Sequence, residues 1–147
     1  MDKTLIIVKP DAFSKSVIGK VISKLEETGL KIMAAKTIWM NNEQAEAFYA
    51  EHKGKGFYEP LVVFMSSNPV MVMVWGGDNA VIRARCIIGA TDPADADEGT
   101  IREQWAQDGR HNIIHGSDSA ESAEREIGFF FSDSEDIFKW EGKEYRI

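Results

Sequence analysis

Val70-Met71-Val72-Met73-Val74-Trp75 decides the fold, because it contains no polar side chain and ends at Gly76-Gly77. A short apolar run bounded by glycines is typical of a strand that is buried on both faces. Thr4-Leu5-Ile6-Ile7-Val8 is β-branched and almost wholly apolar, and it stops before Pro10, which cannot donate to a sheet ladder. The two runs predict two buried strands, and Lys9 lies where the earlier one ends.

Segments on either side of these strands carry apolar side chains at helical spacing. Their order favours an α/β sandwich with a ferredoxin-like βαββαβ core. On the N-terminal side the pattern predicts a helix from Val17 to Thr28, a strand from Leu30 to Met40, a helix capped by Asn41 or Asn42, and a short helix from Tyr58 to Met65. On the C-terminal side it predicts a helix from Asp78 or Asn79 to Gly89, a short helix around Arg102 that ends near Gly109, a strand at Ile113-Ile114, and a helix from Ser119 to Phe130 with a capping box of Asp118 and Glu121.

Composition indicates one soluble globular domain. The 147 residues include 24 acidic and 17 basic side chains, a net charge of −7, and 44% are apolar. The acidic balance argues against nucleic acid as a partner, since such binding needs clustered Lys and Arg. No apolar run approaches the ~20 residues that cross a bilayer, and no signal peptide precedes the first strand, so we expect a cytoplasmic protein without a membrane partner. Cys86 is the single cysteine, which predicts a buried small hydrophobe rather than a disulfide.

His115 is the first candidate for chemistry, because it follows the strand at Ile113-Ile114 and precedes a capped helix. Strand-turn-helix junctions can project one side chain out of a sheet edge. A neutral imidazole is nucleophilic near pH 7. Ser119, Ser122 and Glu126 share a face of the next helix by their spacing, so Glu126 can orient the imidazole. The alternative is a structural histidine bonded to backbone.

A second group consists of cations and a hydroxyl that could bind phosphate in an otherwise acidic chain. Ordinary surface salt bridges are the alternative for each of them. The sequence has no glycine-rich phosphate loop, which argues against a P-loop or Rossmann nucleotide site. The phosphate-binding candidates are Lys9, Arg85, Thr91 and Arg102, while His52 and His111 lack a comparable neighbourhood and are predicted to be surface residues.

Asn112-Ile113-Ile114-His115-Gly116-Ser117-Asp118-Ser119, followed by Glu121-Ser122-Ala123, resembles the active-site signature of nucleoside diphosphate kinases. The resemblance covers nearly the whole chain. It implies a four-stranded antiparallel sheet covered by helices, in a single domain over residues 1–147 with 132–147 as a C-terminal extension. Further stretches match that family in order and spacing, namely Ile7-Val8-Lys9-Pro10-Asp11, Met73-Val74-Trp75 with Gly77, Gly89-Ala90-Thr91-Asp92-Pro93-Ala94 and Gly99-Thr100-Ile101-Arg102.

The resemblance implies a ping-pong kinase that moves the γ-phosphoryl group from a nucleoside triphosphate, mainly ATP, to a nucleoside diphosphate and so maintains NTP and dNTP pools. His115 is then the nucleophile, which Glu126 and Ser117 orient, and Lys9 takes part in catalysis. Phe57 stacks on the base, which implies broad base tolerance because every base has a π face. Mg²⁺ is the implied cofactor, bound through substrate phosphates rather than by protein side chains. By resemblance the phosphates and sugar are held by Lys9, Tyr49, Arg85, Thr91, Arg102 and Asn112, with His52 as a further phosphate contact of less weight.

Some features depart from the family or stay open. Gly109-Arg110-His111 differs from the usual forms, so substrate contacts there are not assigned. The long tail, with Trp140 and Tyr145 as docking points, favours a hexamer over a tetramer. Two other functional classes are alternatives to a kinase. One is a histidine phosphocarrier, which need not keep Phe57 or Asn112. The other is an RNA-binding module, which the net charge and the pattern of aromatic residues oppose.

Overall fold

The protein, seen in a computed structural model that describes residues 2–131 and 136–139, is built on one antiparallel sheet. Its strand order is β2-β3-β1-β4. The strands are β1 Lys3–Val8, β2 Lys31–Ile38, β3 Val70–Gly76 and β4 Ile114–Gly116. The α-helices are α1 Pro10–Ser14, α2 Ile18–Glu26, α3 Asn42–Phe48, α4 Tyr58–Met65, α5 Ala80–Ile88, α6 Ile101–Trp105 and α7 Ala120–Phe130.

The central strands β1 and β3 are covered by helices on both faces, which explains why no polar side chain is exposed in either of them beyond Lys3 at the start of β1. Leu5 and Ile7 point into a cluster formed with α3, α4 and α7. Ile6 and Val8 point into the opposite cluster, formed with α2, α5 and α6. All four side chains are fully buried, and each such burial stabilises the fold by roughly 1.5–3 kcal/mol. The predicted ferredoxin-like architecture is confirmed, with α3 and α4 lying between β2 and β3.

The pairing register places the catalytic candidates at one end of the sheet. Ile7 of β1 lies opposite Val72 of β3 on one side and opposite His115 of β4 on the other. The backbone N–H of Lys9, just beyond β1, donates to the carbonyl of Ile113 at 2.8 Å. The ends of β1 and β4 therefore bring Lys9 and His115 to the same edge.

Several predicted boundaries move by a few residues. Pro10 was predicted only to end a strand, whereas it begins α1 at the first helical position, where its missing N–H costs nothing. The short helix around Arg102 ends at Trp105 rather than near Gly109.

Two local predictions about the helices are wrong. Cys86 is exposed, because α5 turns Ala80, Ala84 and Ile88 toward the sheet and leaves position 86 on the outer face. The predicted capping box of Asp118 with Glu121 does not form. Ser119 caps α7 instead, and its side chain accepts the backbone N–H of Ser122 at 3.0 Å. By contrast, the predicted cap at Asn41 is confirmed, with a reciprocal bond to Gln44.

The C-terminal segment is described only at residues 136–139. The backbone N–H of Phe138 donates to the carbonyl of Met33 at 2.8 Å, and Ile137 packs against the cluster under α7. Trp140 and Tyr145, the predicted docking points, lie outside the described residues, so the extension over 132–147 stays a prediction. In the part of the chain that is described, no helix is both long and apolar enough to cross a membrane.

Gly89 at the end of α5 connects the fold to the site, because its carbonyl accepts a hydrogen bond from Arg102 at 3.1 Å. Its φ is +93°, and a Cβ there would lie 2.5 Å from Oγ1 of Thr100. Gly89→Ala should therefore lower the free energy of unfolding by about 3 kcal/mol, of which ~1 kcal/mol is left-handed strain and ~2 kcal/mol is crowding. Chemical denaturation measures this loss. Gly99→Ala is the matched control, since its φ is +87° with nothing within 4 Å, and an equal loss there would contradict the crowding argument.

Candidate active site

Ten of the eleven residues that the sequence singled out line one cavity of about 860 Å³. That volume suits a small-molecule ligand. The eleventh, Ser117, is fully buried behind Glu126. The ten are Lys9, Tyr49, His52, Phe57, Arg85, Thr91, Arg102, Asn112, His115 and Glu126.

His115, Glu126 and Ser117 form a hydrogen-bonded set. The imidazole Nε2 lies 2.8 Å from Oε1 of Glu126, and the hydroxyl of Ser117 donates to the same oxygen at 2.9 Å. Since the carboxylate can only accept, Nε2 carries the hydrogen and Nδ1 is the unprotonated nitrogen of the neutral ring. The side chain of Glu126 is 9% exposed and that of His115 21% exposed, so the pair opens to the cavity on the histidine side.

The sequence argument for the orienting hydroxyl named the wrong residues. Ser119 and Ser122 were expected to share a face with Glu126. Instead, the hydroxyl of Ser119 caps the start of α7 by accepting the backbone N–H of Ser122. The hydroxyl that reaches Glu126 belongs to Ser117, as the family resemblance implied. Ser117 is itself fixed on β1, since its hydroxyl accepts the backbone N–H of Leu5 at 3.1 Å.

A tight turn before β4 aims His115. Ile113 has φ of +72°, and the N–H of Ile114 donates to the carbonyl of Asn112 at 2.8 Å, which defines a γ-turn. A carboxylate oxygen of Asp11 accepts the N–H of Ile113 at 3.0 Å and holds the turn. Positive φ is costly for a β-branched residue, and such strain is characteristic of functional sites.

Lys9, Arg85 and Arg102 give the cavity its positive charge. Within the described residues none of the three forms an ion pair with a carboxylate. Burial, and then the charge of Arg102, lowers the pKa of Lys9 to about 7. Burial, and then Arg85, lowers the pKa of Arg102 to about 10. Lys9 and Arg102 are buried cations that repel each other, and the charge of Asp11 acts on Lys9 less strongly than these effects, so the pair is suited to an anion such as phosphate.

Neutral groups fix these cations in place. The ammonium of Lys9 donates to Oδ1 of Asn112 at 2.7 Å, and Arg102 donates to the carbonyls of Gly89 and Ile114 at 3.1 and 2.8 Å. Asn112 also donates to the carbonyl of Thr91 at 3.2 Å, which ties the loop before α6 to the site. These bonds hold the geometry of the cations without neutralising their charge.

Aromatic rings form the other end of the cavity. Phe57 is 45% exposed at the start of α4, and its ring centroid lies 5.2 Å from that of His52. His52 also stacks on Tyr49 at 6.4 Å, so it belongs to the cavity and is not the isolated surface histidine that its sequence context predicted. The hydroxyl of Tyr49 is buried with no partner in the described structure, and burial, followed by the charge of Glu126, raises its pKa.

Sequence reasoning placed the loop with Gly109-Arg110-His111 beside the site but missed Asp108, which anchors it. One carboxylate oxygen of Asp108 accepts the backbone N–H groups of Arg110 and His111 at 2.9 and 2.7 Å. His111 was predicted to be a plain surface residue, yet its ring packs on Phe64 with centroids 4.7 Å apart. The Asp-Gly dipeptide at 108–109 is a turn signal that could have located this loop.

The carboxylates of the cavity do not form a metal cage. Among residues 2–131 and 136–139, no group of three His, Cys, Asp or Glu side chains could hold a metal ion. Glu126 is bonded to His115, and Asp108 is bonded to backbone. Asp118, at the cavity edge, has its pKa lowered first by the side chain of Ser122. One ionised carboxylate beside a phosphate-binding cavity fits Mg²⁺, which binds mainly through substrate oxygens and water.

A sequence profile of the nucleoside diphosphate kinases matches residues 2–136. The chain belongs to the nucleoside diphosphate kinase family. A nucleoside diphosphate kinase of Actinobacillus pleuropneumoniae is 50% identical over 135 residues, which are 92% of this chain and 98% of that protein. Family membership assigns to the chain the transfer of a phosphoryl group from a nucleoside triphosphate to a nucleoside diphosphate.

Solved structures of nucleoside diphosphate kinases have the same fold. The Aquifex aeolicus enzyme superposes with a TM-score of 0.89 at 42% identity, covering 92% of this chain and 98% of that one. The halophilic enzyme of Halobacterium salinarum, solved in complex with CDP, superposes with a TM-score of 0.90 at 42% identity and covers 96% of this chain and 94% of that one. The sequence-based assignment to this family and fold is confirmed.

Proposed function

We propose that the chain transfers the phosphoryl group by a ping-pong mechanism in which Nδ1 of His115 is the nucleophile. The hydrogen bond from Nε2 to Glu126 carries this proposal, because it fixes the tautomer whose free nitrogen is Nδ1. The unpaired cations of the same cavity support it, since the transferred group is anionic.

In the proposed half-reactions, bonds and charges balance. The lone pair of Nδ1 attacks the γ-phosphorus of the triphosphate, and the bond from that phosphorus to the bridging oxygen breaks. The nucleoside diphosphate leaves with the electron pair of that bond. The ring keeps its hydrogen on Nε2 and gains positive character, which the carboxylate of Glu126 stabilises. A terminal oxygen of a second nucleoside diphosphate then attacks the phosphorus. The bond from phosphorus to Nδ1 breaks, and its electron pair returns to Nδ1, which restores the neutral imidazole.

Each remaining residue has a proposed part that follows from its position. Lys9, Arg85 and Arg102 neutralise the charge that spreads over the equatorial oxygens. Thr91 lies beside them as a hydroxyl donor to phosphate or sugar. Asn112, whose amide hydrogens bond the carbonyls of Thr91 and Gly109, holds Lys9 in place for that ligand, with Tyr49 and His52 in support. Phe57 offers its exposed face to the base, which supports broad base tolerance. When Mg²⁺ is bound on the phosphates, it neutralises part of their charge, and Asp118 is the side chain that can approach it.

A labelling experiment tests the proposal. The protein is incubated with γ-labelled ATP and Mg²⁺, and the label is followed on the protein and then onto added GDP, beside His115→Asn. Acid-labile, alkali-stable label at position 115 of the parent, which passes to GDP, supports the mechanism. Absence of label on the parent, or undiminished label on the variant, contradicts it.

Glu126→Gln should lower kcat about 100-fold while KM for the triphosphate changes by less than about threefold. Glutamine keeps an acceptor for Nε2 but lacks the negative charge that stabilises the phosphorylated ring. Steady-state kinetics at several pH values measure this effect. Glu124→Gln, an exposed carboxylate on the same helix, is the matched control. A similar kcat in both variants would show that the charge of Glu126 does not act on the reaction.

We also propose a hexamer in the cytoplasm, on the basis of the family resemblance and the long tail. Light scattering tests the assembly directly. A mass of six chains supports it, and a mass of four chains contradicts it.

A further inference from the structure

The loop from Asp108 to His111 is anchored at both of its ends. The Asp108 carboxylate holds two backbone N–H groups and lies 3.1 Å from Nδ1 of His111. The carbonyl of Gly109 accepts a hydrogen bond from Asn112 at 3.0 Å, on the side where Lys9 lies. The backbone of Arg110, between these two anchors, therefore has a fixed position.

The same loop faces the aromatic end of the cavity. The ring of His111 packs on Phe64 of α4. Leu61 precedes Phe64 by one helical turn and Phe57 by two, on the same side, and both line the cavity with Arg110. Arg110 thus lines the same cavity as the ring on which the base is proposed to stack.

The guanidinium of Arg110 has no hydrogen bond or ion pair with any residue in the described ranges. The four other arginines described there all have partners. Arg83, Arg85 and Arg102 donate to backbone carbonyls, and Arg125 pairs with carboxylates. A half-buried guanidinium with five free donors in a ligand cavity is available to a ligand.

We infer that Arg110 is a specificity-determining residue that donates to O6 and N7 of a guanine base stacked on Phe57. The inference rests on the proposed function, which places the base there. The planar fork of arginine matches the two adjacent acceptors of guanine, whereas adenine and cytosine present an amino group at the equivalent edge. The expected result is a preference of about tenfold for GDP over ADP, superimposed on broad base tolerance.

Single-turnover transfer from the labelled, phosphorylated enzyme to four acceptors tests the inference. The acceptors are GDP, IDP, 7-deaza-GDP and ADP. The transfer rates to GDP and IDP should be equal, because both bases carry O6 and N7. The transfer rate to 7-deaza-GDP should lie between those rates and the rate to ADP. In Arg110→Met the ratio of GDP to ADP transfer should fall to about one, and Lys20→Met, an exposed cation on α2 outside the cavity, should keep the ratio of the parent.

Other results overturn the inference. Equal transfer to GDP and ADP in the parent contradicts it, as does a loss of the same factor with all four acceptors in Arg110→Met, which indicates a phosphate contact. A large drop with IDP assigns the preference to the 2-amino group instead. These outcomes are distinct from failure of the proposed function, in which no label reaches the protein.

Discussion

Replacing His115 with Asn should lower kcat/KM for transfer from ATP to GDP by at least about 10⁴-fold. The side chain of Asn has no nucleophilic nitrogen. The neighbouring hydroxyl, that of Ser117, is fully buried and already donates to Glu126, so it cannot reach a phosphate in the cavity. A coupled spectrophotometric assay with purified parent and variant measures the ratio.

The variant should still fold and bind nucleotide. His115 contributes one hydrogen bond and one ring contact, to Phe48 at 5.7 Å, while the cations that hold phosphate remain. We therefore expect Kd for ATP to stay within about threefold of the parent, since the lost group acts on the transition state rather than on binding. Residual turnover above 1% of the parent would mean direct transfer between nucleotides or a second nucleophile.

Much of the fold was predictable because the two central strands are buried on both faces. Val70–Trp75 then has to be wholly apolar and Thr4–Val8 almost so, and such runs can be recognised without tertiary information. Helix faces were harder, because apolar residues also occupy exposed positions. Ile82 is 64% exposed on α5, and Cys86, one turn further on, shares that exposed face although it was predicted to be buried.

The sequence predicted which residues line the cavity better than it predicted how those residues are brought together and hydrogen-bonded. The position of His115 at the end of a strand, before a capped helix, indicated a projected side chain from local pattern alone. The convergence of Lys9, Arg85 and Arg102 could not follow from spacing, because it depends on the antiparallel register that joins distant segments. The anchoring of Arg110 by Asp108 is local, yet it depends on a side-chain bond that composition does not specify.

Lys9→Met should combine a large loss of activity with a gain in stability. The parent buries an ammonium beside Arg102 with no paired carboxylate, and its pKa is lowered to about 7 for that reason. Removing it should lower kcat/KM about 100- to 1000-fold, the usual effect of losing one charged donor at a transition state. It should raise the free energy of unfolding by about 2 kcal/mol at pH 6.5, after the loss of the bond to Asn112 is subtracted.

The gain in stability should disappear as the pH rises. The unfolded lysine keeps its proton up to its ordinary pKa of 10.5, whereas native Lys9 releases it near 7. Between these values the unfolded state binds more protons, so the parent becomes more stable with increasing pH by up to ~1.4 kcal/mol per unit, and the variant lacks this contribution. Chemical denaturation should therefore show that Lys9→Met exceeds the parent in free energy of unfolding by about 2 kcal/mol at pH 6.5 and by nearly zero at pH 9. Lys20→Met, an exposed lysine, should show no such trend, and a pH-independent difference for Lys9→Met would mean that the ammonium is not desolvated in the native state.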